Sequence, residues 1–532
     1  MSRLSDHLRN VGPDIHRYQF GFRVGRSTID AIDRVKSLAQ GAIRQGGITL
    51  AVSVDIVNAF NALPWNTIRD GLARHCAPRY IQKTIASYLA GRTIEFGANG
   101  TTSRRAIDRG VPQGSILGPL LWNLGYNAAL NTALPDGVHI TCYADDTLLV
   151  ACGKDWTRTI RVMEAGLAAL TARVANLGLE VAAQKTEATW FHGLPRTRRP
   201  PASWVAVGAD RIPVGESIKY LGLVLDCRFN FEAHFAHLAP KLEKAALSLS
   251  RILPNIGGPK EKIRRLYASV LGSMALYGAP IWAKDKPLTR RNAKALRSAQ
   301  KRMAIRTIRA YRTVSGEAAL TLAGMVPFDH LAKGYAEIYW GTRDNAGQVS
   351  DEARGRAEQL KQQALRCASL NWKRELVQAG AGNRRVVRAI LPNWEQWTES
   401  GPATLTYRTT QILTGHGCFG DYLKRIGAES TAVCHHCGGD PDSAQHTLEE
   451  CPAFSAQRAA LTAVIGPVLS PAALIAALLS GGRKMNAVTS FCEEVISFKE
   501  AAERQRERAA PGRSSRTRRR LPPGPRSEET LG

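Results

Sequence analysis

The stretch TCYADDTLLV (141–150) decides the fold, because it places two adjacent aspartates, Asp145 and Asp146, inside an apolar run. Burying one unpaired carboxylate is costly, and a second one beside it adds repulsion between like charges. The flanking segments VHITCY (138–143) and TLLVAC (147–152) are typical of strands, and three residues join them. We therefore predict a β-hairpin with both carboxylates at its turn.

The sequence around this hairpin predicts an α+β core. ITLAVSVD (48–55) is rich in branched residues and is a predicted strand that ends on Asp55, while EATWF (187–191) is another. Apolar residues at steps of three and four predict a helix over 163–177. Strand, helix, hairpin, helix and strand is the order of a split βαβ sheet with its helices on one face. We expect Asp55 to lie beside the hairpin.

Two interpretations of the paired aspartates are open at this point. Aspartate is common in tight turns, so the pair can simply close the hairpin. Three carboxylates that converge from two segments instead require a cation, and oxygen ligands suit Mg²⁺ or Mn²⁺. Two such ions about 3.5–4 Å apart clamp the attacking and leaving oxygens of an in-line phosphoryl transfer. The position of Asp55 favours this second interpretation, which is polymerase chemistry.

The composition limits the class of protein. A chain of 532 residues is expected to form two to four domains, and its net charge of +27 favours a polyanionic partner over a merely solvated basic surface. Ten cysteines are too few for a disulfide scaffold. The N-terminus has no apolar core typical of a secretory signal, and Gly and Pro interrupt the uncharged stretch 459–482, which favours a buried helical pair over a membrane span. We expect an intracellular, reduced and soluble protein.

A strongly basic segment lies within the mostly helical region 231–345. Residues 284–312 contain eleven Lys and Arg and one acid, Asp285. Four of the basic residues are spaced to share one helix face: Arg290, Lys294, Arg297 and Lys301. A solvated helix more often mixes signs, so this basic stripe favours contact with nucleic-acid phosphates.

A second cluster, CHHCGGDPDSAQHTLEEC (434–451), has the spacing C-x2-C-x8-H-x4-C. The pattern predicts a tetrahedral Zn²⁺ site, whose ligands are Cys434, Cys437, His446 and Cys451. His435 and His436 are alternative ligands. A purely structural zinc and a nucleic-acid-binding knuckle are both open.

Several blocks, taken in their order along the chain, carry a family resemblance. They are QFGFRVGRSTIDAI (19–32), SVDIVNAFNALPW (53–65), RGVPQGSILGPLLWNL (109–124), YADD (143–146), GLEVAAQKTE (178–187) and IKYLGLVLD (218–226). This order resembles the reverse transcriptases of non-LTR (LINE-type) retrotransposons, and most of all the insect clade that inserts into ribosomal RNA genes. The resemblance covers roughly residues 18–285 closely and the later helices more loosely.

The resemblance implies a role for each matching residue of the catalytic centre. Asp55 and Asp145 are the principal Mg²⁺ ligands, and Asp146 completes the triad. Phe60 matches the aromatic gate that crowds a ribose 2′-hydroxyl, although core packing explains it equally well. Lys185 matches a lysine that protonates the leaving pyrophosphate, with an ordinary surface lysine as the alternative.

The resemblance also implies contacts with substrates. Gln113 and Gly114 match a turn that lies against the incoming nucleotide and template, although the stretch also fits any Gly/Pro turn before a helix. Arg23 and Arg26 are candidate contacts for the triphosphate, and YLG (220–222) matches the loop that grips the primer end.

The implied architecture is a right-hand polymerase with partial fingers. Its segments are fingers and palm at 1–230, a helical thumb at 231–345, a helical connector at 346–410, a CCHC zinc-knuckle region at 411–460, C-terminal helices at 461–502 and a basic disordered tail at 503–532. The endonuclease of full elements has no counterpart, and the chain opens within the fingers. We therefore expect a truncated copy or an incomplete gene model.

The expected function is RNA-directed DNA polymerase activity, with an RNA template, a DNA primer or target, deoxynucleotides, Mg²⁺ (or Mn²⁺) and Zn²⁺ as partners and no membrane. The alternative is a catalytically impaired remnant that only binds RNA or DNA. A host maturase or a telomerase-like enzyme is disfavoured by the C-terminal knuckle. Chromosomal targeting predicts a nuclear location, together with a cytoplasmic ribonucleoprotein, and RTRRR (516–520) is a candidate import signal.

Overall fold

The structure is a computed structural model. It describes residues 1–98, 101–195, 197–285, 287–343, 351–399 and 405–509. The chain divides into two compact units. The first comprises 1–241, 276–292 and 332–364, and the second comprises 242–275, 293–331 and the described residues from 365 onward.

The N-terminal part of the chain alternates helices and strands. Its elements are α1 (Ser2–Asn10), α2 (Thr28–Arg44), β1 (Ile48–Val54), α3 (Ala59–Ala62), α4 (Trp65–Arg74), α5 (Arg79–Leu89), β2 (Thr93–Ala98), β3 (Thr101–Ala106), α6 (Gly118–Leu130), β4 (Val138–Tyr143), β5 (Asp146–Gly153), α7 (Trp156–Asn176), β6 (Glu187–His192), β7 (Trp204–Val207), β8 (Asp210–Gly215), β9 (Ser217–Tyr220) and β10 (Leu223–Asp226).

One six-stranded sheet organises the first unit, with the strand order β4-β5-β1-β6-β8-β7. Strand β1 lies inside this sheet and pairs antiparallel with both β5 and β6. Six of its seven residues are buried, which is why its sequence is almost continuously apolar. The β9–β10 and β2–β3 pairs form separate two-stranded sheets.

The prediction of strand, helix, hairpin, helix and strand is confirmed. The hairpin is β4–β5, and β1 and β6 take the places of the two predicted flanking strands. The predicted helix 163–177 is longer than expected, since α7 begins at Trp156. The Asp155 side chain caps this helix by accepting a hydrogen bond from the Arg158 N–H at 2.7 Å.

The rest of the chain is helical. Its helices are α8 (Glu232–Arg251), α9 (Glu261–Leu276), α10 (Ala279–Trp282), α11 (Arg290–Thr307), α12 (Gly316–Leu322), α13 (Phe328–Arg343), α14 (Asp351–Gln378), α15 (Arg385–Ile390), α16 (Trp394–Glu399), α17 (Tyr407–Thr414), α18 (Gly420–Arg425), α19 (Ser455–Ile465), α20 (Pro471–Ser480) and α21 (Gly482–Ala509). The core of the second unit includes buried Trp394, Trp397, Phe419 and Ile475.

The predicted helical pair at 459–482 is confirmed by α19 and α20, but its burial is only partial, since Leu461 is the one buried residue of α19. The predicted tail 503–532 needs a correction, because residues 503–509 continue α21, while the rest of that tail lies outside the described residues. A separate thumb at 231–345 stays a prediction, since the two compact units divide that segment between them.

Candidate active site and metal centre

Two segments of the sheet bring the three predicted aspartates together. Asp55 directly follows β1, Asp145 lies in the β4–β5 turn and Asp146 opens β5. The antiparallel register places Val54 opposite Thr147, so the end of β1 lies beside the start of β5. The sequence-based expectation that Asp55 neighbours the hairpin is therefore confirmed.

Two carboxyl groups of this site, those of Asp145 and Asp146, have raised pKa values. Burial raises the pKa of Asp145, and the charge of Asp55 adds to that effect. The pKa of Asp146 rises to about 6, first through burial and then through the charges of Asp145 and Asp55. The three carboxylates thus act on one another, and a cation would relieve their repulsion.

The hairpin turn is held by a residue that the sequence analysis did not single out. The Gln19 amide donates to the Ala144 carbonyl at 3.0 Å, and its oxygen accepts from the N–H groups of Ala144 at 2.8 Å and Gly21 at 2.9 Å. Ala144 has a left-handed φ of 61°, and a Cβ at position 21 would lie 2.2 Å from its nitrogen. The signal available in the sequence was a glutamine followed two residues later by a glycine, and neither residue type is specific for such a contact.

Lys185 lies next to the aspartates. It ends a 3-10 turn over Ala183–Lys185, and its ammonium group is 3.1 Å from a carboxylate oxygen of Asp55. The Lys185 side chain is 72% exposed. It is therefore placed where a substrate at the carboxylates can reach it.

Phe60 and the predicted substrate turn lie side by side. Phe60 is half-buried between the rings of Phe22 and Trp122, with ring centroids 6.1 and 5.0 Å away. Its carbonyl accepts a hydrogen bond from the Val111 N–H at 2.7 Å. Two residues further on, Gln113 and Gly114 are exposed, and Gly114 has a φ of +77°. This exposed turn can present backbone groups to a ligand.

The two arginines predicted to contact a triphosphate differ in their surroundings. Arg23 forms an ion pair with Asp14 and donates to the Ile15 and His16 carbonyls. Arg26 is exposed, donates to the Arg17 carbonyl and lines a cavity beside α2. The role of Arg23 and Arg26 as triphosphate contacts stays a prediction.

The loop at 220–222 is tightly held. The Tyr220 side chain is buried, and Leu221 and Gly222 both have left-handed φ values, of 45° and 83°. The Tyr277 hydroxyl donates to the Leu221 carbonyl at 2.8 Å. A Cβ at Gly222 would lie 2.9 Å from the Tyr277 ring, which explains the glycine.

The predicted basic stripe on α11 divides into free and paired residues. Arg290 and Lys294 are exposed, and Lys301 is half-buried. Arg297 instead donates to the carboxylates of Asp329 and Glu375. These acids stabilise its charge and raise its pKa despite the opposing effect of burial. Arg297 thus forms ion pairs within the protein, and contact of the stripe with nucleic acid stays a prediction.

The predicted zinc ligands form a preassembled cluster. The ligand atoms of all four lie within 4.8 Å of one another. The sulfurs of Cys434 and Cys451 are 3.9 Å apart, and the Cys437 sulfur is 3.2 Å from Nε2 of His446. Gly439 is required beside them, because a Cβ there would lie 2.9 Å from the His446 ring.

The neighbouring histidines are excluded from this group of four. His436 instead packs on the Phe454 ring at 5.2 Å, and His435 is not among the ligand atoms. Nδ1 of His446 lies 3.3 Å from a Glu450 carboxylate oxygen, which can orient the imidazole. The structure therefore favours His446 over both alternatives.

The cluster sulfurs differ in acidity in the metal-free chain. Burial raises the pKa of Cys434, and it raises that of Cys451 to about 12. Burial also opposes ionisation of Cys437, but hydrogen bonds, first from the Gly439 N–H and then from the other ligands, lower its pKa to about 7. Cys437 is therefore the most readily ionised of the three thiols.

A buried ion pair anchors the cluster loop to α21. The Lys499 ammonium lies 2.7 and 2.9 Å from the two carboxylate oxygens of Asp442, and both side chains are at most 4% exposed. Asp442 also accepts from the Gly420 N–H at 3.0 Å. Asp442 thereby holds the loop that carries the cluster against both α21 and the start of α18.

Among the described residues, no helix has the length and apolar character needed to cross a membrane.

Comparison with known proteins agrees with this arrangement. Residues 1–225 match the family described as reverse transcriptase (RNA-dependent DNA polymerase). The "Putative 115 kDa protein in type-1 retrotransposable element R1DM" of Drosophila melanogaster is 28% identical over 465 residues, covering 85% of this chain and 44% of that protein. The "Retrovirus-related Pol polyprotein from type-1 retrotransposable element R1" of Bradysia coprophila is 24% identical over 466 residues, covering 85% and 45%.

A third relative is the "RNA-directed DNA polymerase from mobile element jockey" of Drosophila melanogaster, which is 26% identical over 286 residues, covering 52% of this chain and 30% of that protein. The chain spans less than half the length of the first two relatives. The family match covers the sheet and all three aspartates. Residues 1–225 therefore match the reverse transcriptase family, and over most of its length the chain is similar to R1-type retrotransposon proteins of insects.

Proposed function

We propose that this chain is an RNA-directed DNA polymerase that extends a DNA primer along an RNA template. The observation that carries the proposal is the convergence of Asp55, Asp145 and Asp146 from two neighbouring strands within a reverse transcriptase domain. Burial and neighbouring carboxylates raise the pKa values of Asp145 and Asp146, which supports a site that a cation completes.

The donor set fits Mg²⁺ or Mn²⁺. All three side chains offer only carboxylate oxygens, which these ions prefer over the softer zinc ligands. When bound, such ions supply a lowered pKa for the primer 3′-hydroxyl and neutralise charge on the nucleotide phosphates. The three aspartates would hold the ions, while the Gln19 contacts fix the turn that carries Asp145.

Other residues of the chain complete the proposed reaction. The Phe60 ring crowds the 2′ position of an incoming nucleotide and so favours deoxynucleotides. Lys185 carries its proton close to Asp55, from where the leaving pyrophosphate can take it. Gln113 and Gly114 present an exposed turn to nucleotide and template.

Primer extension tests this proposal directly. Purified protein is incubated with an RNA template, a DNA primer, deoxynucleotides and Mg²⁺ or Mn²⁺, and extended primer is expected. Asp145→Ala should abolish extension, whereas Asp136→Asn, which removes an exposed aspartate before β4, should not. Absence of extension by the unaltered chain with either metal would reject the proposed activity.

We propose further that the four-ligand cluster binds Zn²⁺ and that its loop contacts nucleic acid. Three thiols and one imidazole are the ligand types of structural zinc sites. RNA affinity is measured for Cys434→Ser after chelation and for Cys367→Ser, which removes an exposed cysteine outside the cluster. Weaker binding only in the first variant supports the nucleic-acid role, and equal binding leaves a structural zinc.

The second candidate function is nucleic-acid binding without catalysis. It is favoured by the basic surplus of the chain and by the exposed residues Arg290 and Lys294 on α11. This alternative predicts salt-sensitive RNA binding that persists in Asp145→Ala while no primer is extended by any variant.

A nuclear location is part of the proposal, together with a cytoplasmic ribonucleoprotein. The candidate import signal at 516–520 lies outside the described residues. Deleting residues 510–532 and imaging the tagged protein in cells tests it, with loss of nuclear signal as the expected result.

A further inference from the structure

A cavity of about 690 Å³ lies beside α2 in the first unit. We call it the α2 cavity, and it is lined by Arg17, Tyr18, Phe20, Arg26, Arg34, Ser37, Leu38, Gly41, Ala42, Gln45, His139 and Cys152. Three of these residues are arginines, and none is an aspartate or glutamate. The volume is in the range of sites that hold a ligand the size of a nucleotide.

The charges of Asp30 and Asp14 act on Arg26, but among the described residues both carboxylates form their ion pairs with arginines that do not line the cavity. Asp14 is paired with Arg23, which does not line the cavity. Asp30 is paired with Arg343 and also accepts from the Tyr339 hydroxyl at 3.0 Å. Both carboxylates are thus engaged, and the cavity retains a surplus of cationic side chains.

Arg34 is the most unusual group of the cavity. Its guanidinium carbon lies 3.1 Å from the centroid of the Tyr18 ring, and the Arg17 guanidinium lies 4.5 Å from the same ring. Nε of Arg34 is buried and has no hydrogen-bond partner among the described residues. A buried donor without a partner is costly, and an anionic ligand in the cavity would offset that cost.

Part of the cavity lies well away from the catalytic carboxylates. Cys152 lies five residues beyond Thr147 on β5, which is about 17 Å at about 3.4 Å per residue. His139 lies on β4 on the same side of the hairpin turn. The cavity therefore extends from Phe20, whose N–H donates to the Cys142 carbonyl at 2.8 Å, toward the end of these strands that lies away from the turn.

We propose that the α2 cavity binds a phosphate group of a single-stranded nucleic acid, with the adjoining base against the apolar wall formed by Phe20 and Leu38. Arginine suits this role because its planar fork matches phosphate oxygens and its face accepts a stacked base. The mixture of three cations with apolar and aromatic wall residues fits a nucleotide unit better than a small inorganic anion.

The partly exposed thiol of Cys152 lines the cavity, so its rate of alkylation reports whether a ligand is bound there. Alkylation of the full-length protein by iodoacetamide is followed by mass spectrometry, with the exposed Cys76 as internal reference. Samples contain no ligand, a 12-nucleotide single-stranded RNA, the same sequence as DNA, or inorganic phosphate at equal phosphate concentration. We expect the oligonucleotides to slow alkylation of Cys152 several-fold relative to Cys76 and inorganic phosphate to have little effect.

Charge variants connect this protection to the arginines. Arg17→Gln removes an exposed cavity arginine, and Arg173→Gln removes one exposed charge from α7 as the matched control. Arg17→Gln should weaken oligonucleotide binding by roughly tenfold and lower the salt slope of log K by about 1. The control should show a small change in either quantity and retain Cys152 protection.

The outcomes are distinct. Oligonucleotide-dependent protection of Cys152 that is lost in Arg17→Gln supports the proposal, and the RNA and DNA samples identify the preferred strand. Equal alkylation of Cys152 in all samples, or equal protection by inorganic phosphate, overturns it. None of these measurements requires primer extension, so an inactive polymerase would leave the result intact.

Discussion

The carboxylate site and the Cys/His cluster both bring metal-binding side chains together, but they differ in how closely the ligand atoms approach one another. In the cluster, four ligand atoms already lie within 4.8 Å of one another. The three aspartates are not among the described groups that meet this distance, and Asp55 contacts Lys185 instead. Neutral thiols and imidazole can approach without a metal, whereas carboxylates repel one another.

This difference indicates two kinds of metal dependence. Cys434 and Cys451 belong to the core of the second unit, so loss of their metal should disturb packing. The aspartates lie at a strand end and a turn with solvent access, so loss of their metal should affect reaction more than fold.

The largest expected effect is therefore on stability after zinc removal. In Cys434→Ser, or after chelation, we expect the second unit to lose several kcal/mol of stability, since structural zinc contributes about 10–16 kcal/mol of apparent binding energy in small zinc peptides. Thermal unfolding and zinc content measure this loss. A full zinc content in Cys434→Ser would contradict the assigned ligand set, and Cys367→Ser is the matched control.

The buried pair Asp442–Lys499 gives the next largest effect. Lys499→Met leaves the Asp442 carboxylate buried without its cation and should cost about 3–5 kcal/mol in the free energy of unfolding. The double variant with Asp442→Asn should recover part of this loss, because no unpaired charge remains. Chemical denaturation of the three proteins tests this, and equal losses in single and double variants would show that the charge is not the cause.

At the carboxylate site, Gln19→Leu should reduce primer extension by roughly 10- to 100-fold, which corresponds to about 1.4–2.8 kcal/mol in the barrier. The variant removes the contacts that hold the Ala144 turn but leaves every aspartate in place. The fall should be in the rate at saturating nucleotide, with melting temperature measured in parallel. Gln184→Leu, at an exposed position near Lys185, is the control.

The smallest effect concerns pH. Because the folded pKa of Asp146 is raised to about 6 from 3.8, its contribution to stability is present below about pH 4 and is lost as pH rises through 6. Metal-free Asp146→Asn should therefore match the unaltered protein at pH 4 and be more stable at pH 7.5, by less than about 1 kcal/mol because the side chain is exposed. Denaturant midpoints measure the difference, and saturating Mg²⁺ should reverse or remove it.

Sequence reasoning located the parts of the molecule that follow local patterns. The hairpin, the neighbouring strand ending before Asp55 and the four ligands at 434–451 were readable because alternation and spacing are local properties. The ion pairing of Arg297 was not readable, since its partner Glu375 is 78 residues away. The contact between Gln19 and the turn, across 125 residues, was equally invisible.

Gln19 and Gly21 are positions where a substitution alters the active site without changing an acidic residue. A side chain larger than glycine at position 21 would collide with the backbone at Ala144, and a change at position 19 would release the turn. Either substitution leaves the sequence YADD (143–146) unchanged but displaces the side chains of Asp145 and Asp146. Intact aspartates alone therefore do not show that the active site is intact. Gln19 and Gly21, which hold the turn, need to be unchanged as well.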